Sequence, residues 1–189
     1  MSVCAAVLLT QAAACQRSGT AESLPTQTPS DRITLPDARR EFVAPAGRYA
    51  FVVTTSDGWK SGRGAGELFS VGPAGRTAIW SQELPQQFGP RFVLVNDQGT
   101  VLMLDEWINV SSRYAVLIID RERRTIAQRS TDEVQAALQV PMNEIVRLAK
   151  FGWWIAAPPT LSPSGDAARV EAGGKILTIG LNDGSLSAS

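Results

Sequence analysis

The chain has 189 residues, 18 basic and 18 acidic side chains, no histidine, and two cysteines, Cys4 and Cys15. A balanced charge without a basic stripe excludes the electrostatic footprint of a nucleic-acid binder. Without histidine, and with no cysteine beyond position 15, there is no Ser-His-Asp or Cys-His system and no histidine-ligated zinc. No cofactor and no metal is expected.

Residues 3–14 are mostly apolar and end in Ala12-Ala13-Ala14 directly before Cys15. The run is shorter than the roughly twenty residues that cross a hydrocarbon core, but it suits the apolar region of a signal peptide. The segment Leu9-Thr10-Gln11-Ala12-Ala13-Ala14-Cys15-Gln16 resembles the end of a bacterial lipoprotein signal peptide. The resemblance implies removal of residues 1–14 and lipidation of Cys15, whose several acyl chains would hold the protein durably at a membrane. It places the protein in the bacterial cell envelope, facing the periplasm. Gln16, where an aspartate favours inner-membrane retention, implies the outer membrane.

Residues 15–40 are rich in Ser, Thr and Pro and poor in large apolar side chains. Such a composition buries too little surface to offset its ordering entropy, so the segment reads as a flexible tether. Residues 41–189 remain for a single domain with its own core.

That domain reads as mainly β. Short apolar runs at 49–55, 67–71 and 76–83 are split by Ser56-Asp57-Gly58 and Gly72-Pro73-Ala74-Gly75. Runs at 91–95 and 100–107 flank Asn96-Asp97-Gln98-Gly99, and runs at 114–119 and 125–129 flank Asp120-Arg121-Glu122-Arg123. Runs at 175–181 and 186–188 flank Asn182-Asp183-Gly184. Asn/Asp-Gly punctuation between Val-, Ile- and Thr-rich runs is the signature of antiparallel hairpins.

A short helical hairpin over about 130–150 interrupts them. Ser130 and Glu133 form a capping-box pattern ahead of Val134, Ala137 and Leu138. Pro141 opens a second helix with Met142, Ile145, Val146 and Ala149 on one face. The expectation is a sandwich or open curved sheet rich in antiparallel hairpins, with a partial β-propeller-like arrangement as the alternative. The helical pair resembles a helix-turn-helix, but only Asn143, Arg147 and Lys150 would reach bases.

Three features are candidates for chemistry. The loop Ser56-Asp57-Gly58-Trp59-Lys60-Ser61-Gly62-Arg63-Gly64-Ala65-Gly66 has glycines whose amides would face an anion, with Lys60 and Arg63 supplying charge. Asp105-Glu106-Trp107 holds two adjacent acids, which a strand would point to opposite faces. Trp59 and Trp107, beside predicted turns, would offer exposed rings to a sugar, peptide or lipid interface, while Trp153-Trp154 would enter a strand. Lys60, Arg63, Trp59 and Trp107 are therefore the candidate ligand-binding residues, and no catalytic residue is assigned. The function these features point to is a membrane-tethered, non-catalytic binding or scaffolding module. Its partner would be an envelope protein or cell-wall polymer. The alternatives are a glycan hydrolase using Asp105 or Glu106 as its acid, and a cytosolic interaction domain.

Overall fold

A computed structural model describes residues 34–189. Residues 1–33, with Cys15 and most of the tether, lie outside the described residues. The strands Arg39–Val43 (β1), Tyr49–Thr54 (β2), Ala65–Gly72 (β3) and Gly75–Glu83 (β4) form one antiparallel sheet in chain order. Pro90–Val95 (β5), Val101–Glu106 (β6), Val116–Ile119 (β7) and Thr125–Arg129 (β8) form a second. Two helices follow, Thr131–Leu138 (α1) and Met142–Leu148 (α2). Then Thr160–Leu161 (β9), Ala167–Ala172 (β10), Lys175–Gly180 (β11) and Leu186–Ala188 (β12) form a third four-stranded meander.

Side-chain alternation stacks these sheets in three layers. From the middle sheet, Val101, Met103, Leu117 and Ile119 join Phe51, Val53, Leu68 and Trp80 of the first sheet in one core. The opposite face presents Leu102, Leu104, Val116 and Ile118 to Ala168, Val170, Leu177 and Ile179 of the third. Burial on both faces is why residues 101–104 of β6 and the whole of β7 read as unbroken apolar runs. Each fully buried Leu, Ile or Val contributes on the order of 2 kcal/mol.

The fold is thus mainly β, antiparallel and built of hairpins. It extends the sandwich to three layers, and each layer is a four-stranded meander of the kind that forms a propeller blade. The stack is open. The outward face of the third sheet is polar, carrying Arg169, Glu171 and Ser187 in exposed positions. On the outward face of the first sheet, Ala50 and Val52 are nevertheless buried, flanked by Val43, Phe69 and the ion pairs that Glu41 makes with Arg76 and Arg39.

The capping box at α1 forms as the sequence predicts. The Glu133 amide donates to Ser130 Oγ (3.3 Å), and the Ser130 amide donates to Glu133 Oε2 (2.8 Å). Val134 and Leu138 anchor α1 in the core shared with the third sheet. Three strands have no counterpart in the sequence reading. β1 lies partly in the stretch read as tether, β9 is two residues long, and β10 alternates only small apolar residues with charges. Conversely, Trp153 and Trp154 do not enter a strand. They sit in a tight turn closed by the Phe151–Ile155 bridge, and Trp154 is fully buried.

At one end of the stack the turn Asn96–Asp97 ties all three sheets together. Asn96 Nδ2 donates to Gly165 O in the β9–β10 turn (2.9 Å). Its Oδ1 accepts from the amides of Gln98 (3.1 Å) and Thr100 (2.8 Å). Asp97 Oδ1 accepts from the Ala46 amide in the β1–β2 turn (2.8 Å). Asn96 is 2% exposed, so its loss would leave buried polar groups unpaired. Asn96→Ala is expected to lower unfolding free energy by about 2 kcal/mol, measured by urea denaturation. Asp97→Ala, at the exposed bond, is expected to cost less than about 1 kcal/mol.

Candidate binding site

The loop between β2 and β3 is organised from within. Ser61 donates its amide to Asp57 Oδ2 (2.9 Å), and Thr55 Oγ1 donates to Oδ1 (2.8 Å). Hydrogen bonding from the Ser61 side chain, then from Thr55 and the Ser61 amide, holds the Asp57 carboxyl down, to about 2. Thr55 Oγ1 also accepts from the Trp59 amide (3.2 Å). Trp59 adopts a positive φ of 69° and turns its ring into the first core, where it is 2% exposed. Its Nε1 donates to Asp37 O (3.3 Å). The exposed ring expected at Trp59 is therefore corrected: its indole plugs the loop and offers no face to a ligand.

Aromatic packing accounts for Gly64 and Gly66. A Cβ on Gly64 would lie 2.7 Å from the Trp59 ring, and one on Gly66 would lie 2.3 Å from the Phe51 ring. Both are places where an aromatic ring approaches the backbone closely, and they do not form the cradle of amides expected for an anion. Lys60 and Arg63 are exposed. Arg63 pairs loosely with Glu83 (3.7 Å), which balances its charge. Thr54, Thr55, Ser56, Ser61, Ser81 and Gln82 line a shallow cleft of about 500 Å³ with Arg63 and Glu83 at its side. Lys60 lies outside it. Hydroxyls, one amide and a neutralised ion pair suit the polar, uncharged groups of a polymer, such as sugar hydroxyls or peptide amides.

Trp107, the fourth candidate, belongs to a separate cluster. The Arg40 and Arg91 guanidinium carbons lie 5.0 Å and 4.9 Å from its ring centroid, a cation–π arrangement. Trp107 Nε1 donates to Thr34 O (2.5 Å). Arg40 donates from Nη2 to Pro90 O (2.7 Å), and Arg91 donates from Nη2 to Trp107 O (2.5 Å) and Asn109 Oδ1 (2.8 Å). Burial pushes the Arg40 guanidinium down to about 10 against the opposing pull of Asp37, with the nearby charge of Arg91 adding to the shift. Both arginines remain charged at neutral pH.

Asp105 completes this cluster. Its φ of 58° breaks the strand alternation, so the expected opposition of Asp105 and Glu106 does not govern the pair. The Asp105 side chain is fully buried, 3.8 Å from Arg91 Nε, and Oδ2 accepts from the Trp153 amide (3.0 Å). Gly152 makes this approach feasible. At φ 67° its Cα faces the carboxylate so closely that a Cβ would lie 2.0 Å from Oδ2. Glu106 turns elsewhere and accepts from Ser112 Oγ (2.7 Å). The four sequence candidates thus divide: Arg63 reaches the cleft, Lys60 lies on the same loop, Trp59 is buried beneath it, and Trp107 binds the two arginines. Arg40, Arg91 and Gly152 were missed. Arg40 stands in a stretch of tether-like composition, and nothing local marks the other two.

No family model matches the chain, and no curated protein matches it. Among solved structures it is similar to a chain described as a europium-containing methanol dehydrogenase, with 10% identity and a TM-score of 0.38. That likeness covers 74% of this chain and 22% of the other, so the chain spans about a fifth of that protein's length.

Burial raises the Asp105 carboxyl from 3.8 to about 6, against the pull of the Trp153 amide and Arg91. The folded chain therefore binds this proton more tightly than the unfolded chain does. The stabilisation is complete below the unfolded value near 3.8 and is lost as pH rises through about 6. The chain has no histidine, so no other side chain ordinarily titrates in this window. We expect unfolding free energy to fall by about 1 kcal/mol between pH ~5 and ~7.5. Asp105→Asn should flatten that slope in urea titrations run across the range. An unchanged slope would show that Asp105 does not titrate there.

Proposed function

We propose that this protein is a lipid-anchored, non-catalytic binding or scaffolding module of the bacterial cell envelope. Cys15 carries the lipid, the β domain faces the periplasm, and the outer membrane is its site. The observation that carries this reading is how the end of the tether is fastened. Thr34 O and Asp37 O accept hydrogen bonds from the indoles of Trp107 and Trp59, so the chain enters the domain at the Trp107 cluster and then passes the glycine loop. The stretch from Cys15 to Thr34 reaches at most roughly 65 Å when extended, or about 25 Å as a flexible coil. The hydroxyl-lined cleft would then work close to a membrane surface, on an envelope protein or a cell-wall polymer.

Binding is favoured over glycan hydrolysis by the placement of the acids. Asp105 is wholly buried against Trp153 and Arg91, and Glu106 is engaged by Ser112. Neither stands free to flank a glycosidic bond, as a hydrolytic pair must.

Labelled palmitate is expected to enter the wild-type protein and to follow it into the membrane fraction. Cys15→Ser should lose the label and leave the fraction. Absence of label from both would overturn the anchoring. A partner recovered in stoichiometric amount from detergent-solubilised envelopes would support scaffolding, whereas turnover of cell-wall glycan by the purified protein would contradict it.

A further inference from the structure

Strands at the ends of sheets carry unpaired amides and carbonyls, and folds blunt or cover them. Here β12 is covered by α1, and β1 lies against β5. β9 spans only two residues. β8 is five residues long, and Arg129 at its end donates to Gly184 O (3.2 Å). β4 is different. It is nine residues long, its residues 75–79 are all exposed, and one edge pairs with β3. Among the described residues no strand pairs with the other edge. It contains no proline, and its only charges, Arg76 and Glu83, lie near its two ends.

We propose that this edge is a homodimer interface, in which the β4 strands of two copies pair antiparallel and join two four-stranded sheets into one. The argument rests on register. The β3–β4 pairing shifts between Leu68 and Phe69, which face Trp80 and Ala78, so Ile79 is an extra residue. That bulge resets the alternation. Arg76 and Ala78 lie on the outward face before it, and Ser81 and Glu83 lie on the same face after it. Thr77, Trp80 and Gln82 lie on the inward face.

Two β4 strands related by a two-fold axis between Ile79 and Trp80 place Arg76 opposite Glu83 twice. The same register sets Thr77 opposite Gln82, Ala78 opposite Ser81, and Ile79 opposite Trp80. Each pair then shares one face, which an unbulged strand could not achieve in this register. The two Arg76–Glu83 contacts close the ends of the interface, where Arg76 already pairs with Glu41 and Glu83 loosely with Arg63 within each copy, so that each end becomes a network of charges. Ile79, an exposed apolar side chain at 36%, gains an apolar neighbour at its centre. The occupant is a second copy because the edge is complementary to itself in charge, size and face. This inference is independent of the proposed anchoring.

The test is sedimentation equilibrium on the full chain carrying Cys4→Ser and Cys15→Ser, so that neither lipid nor disulfide joins two copies. We expect a concentration-dependent dimer, with slowed hydrogen exchange in β4 at high concentration. Arg76→Glu and Glu83→Arg should each weaken association about tenfold, because each sets two like charges face to face. The double variant should recover most of the parent's affinity. Thermal unfolding of each variant separates lost pairing from lost folding. A monomer at millimolar concentration, or a dimer indifferent to the charge swaps, overturns the proposal. So does protection, in the dilute monomer, of those β4 amides that β3 does not bind, which would mean that another segment of the chain covers this edge.

Discussion

Burial of the middle sheet on both faces is the constraint from which the rest of the molecule follows. Val101 to Leu104 in β6 and Val116 to Ile119 in β7 have no solvent-facing side. Each must find an apolar neighbour sheet above and below, or leave large hydrophobic surfaces in water. The first and third sheets supply those surfaces, and they need only one apolar face each. This explains the alternating pattern of β10 beside the uniform ones of β6 and β7.

Hydrophobic stacking is not directional, so polar contacts at the two ends of the middle sheet set how the layers sit. Asn96 and Asp97 reach from its β5–β6 turn to the turns of the other two sheets. At the opposite end, Arg91 and Asp105 bring together Trp107, Arg40 of β1 and the turn at Trp153. A buried carboxylate is costly unless it is paired and hydrogen-bonded. Asp105 is held by one arginine and one amide, and its raised pKa records the remainder of that cost. The cluster therefore fastens the start of the domain while keeping one acid in an unfavourable setting. Its value lies in alignment more than in stability.

The same economy shapes the loop that looked most like a ligand site. Its glycines yield space to Trp59 and Phe51, and Asp57 spends its hydrogen bonds on the loop itself. What remains for a partner is the hydroxyl-lined cleft on the solvent side. Its only charges, Arg63 and Glu83, balance one another. The loop is braced from within and presents neutral polar groups on its solvent side.

The sequence by itself determined the β class, most of the hairpins and the α1 cap, because these depend on local signals. Alternation, Asn/Asp-Gly turns and the Ser130–Glu133 box act over a few residues. It determined the absence of histidine chemistry outright. Tertiary structure alone decided the division into three stacked sheets, since hairpin signals name neighbours in a sheet and not which faces meet. It decided that Trp59 packs inward and that Trp107 meets Arg40 and Arg91, contacts joining residues far apart in the chain. It also recovered Arg39 and Arg40 from a stretch that composition assigns to the tether. Two arginines carry no local mark of order, and they become structural only when β2, β5 and Trp107 stand beside them.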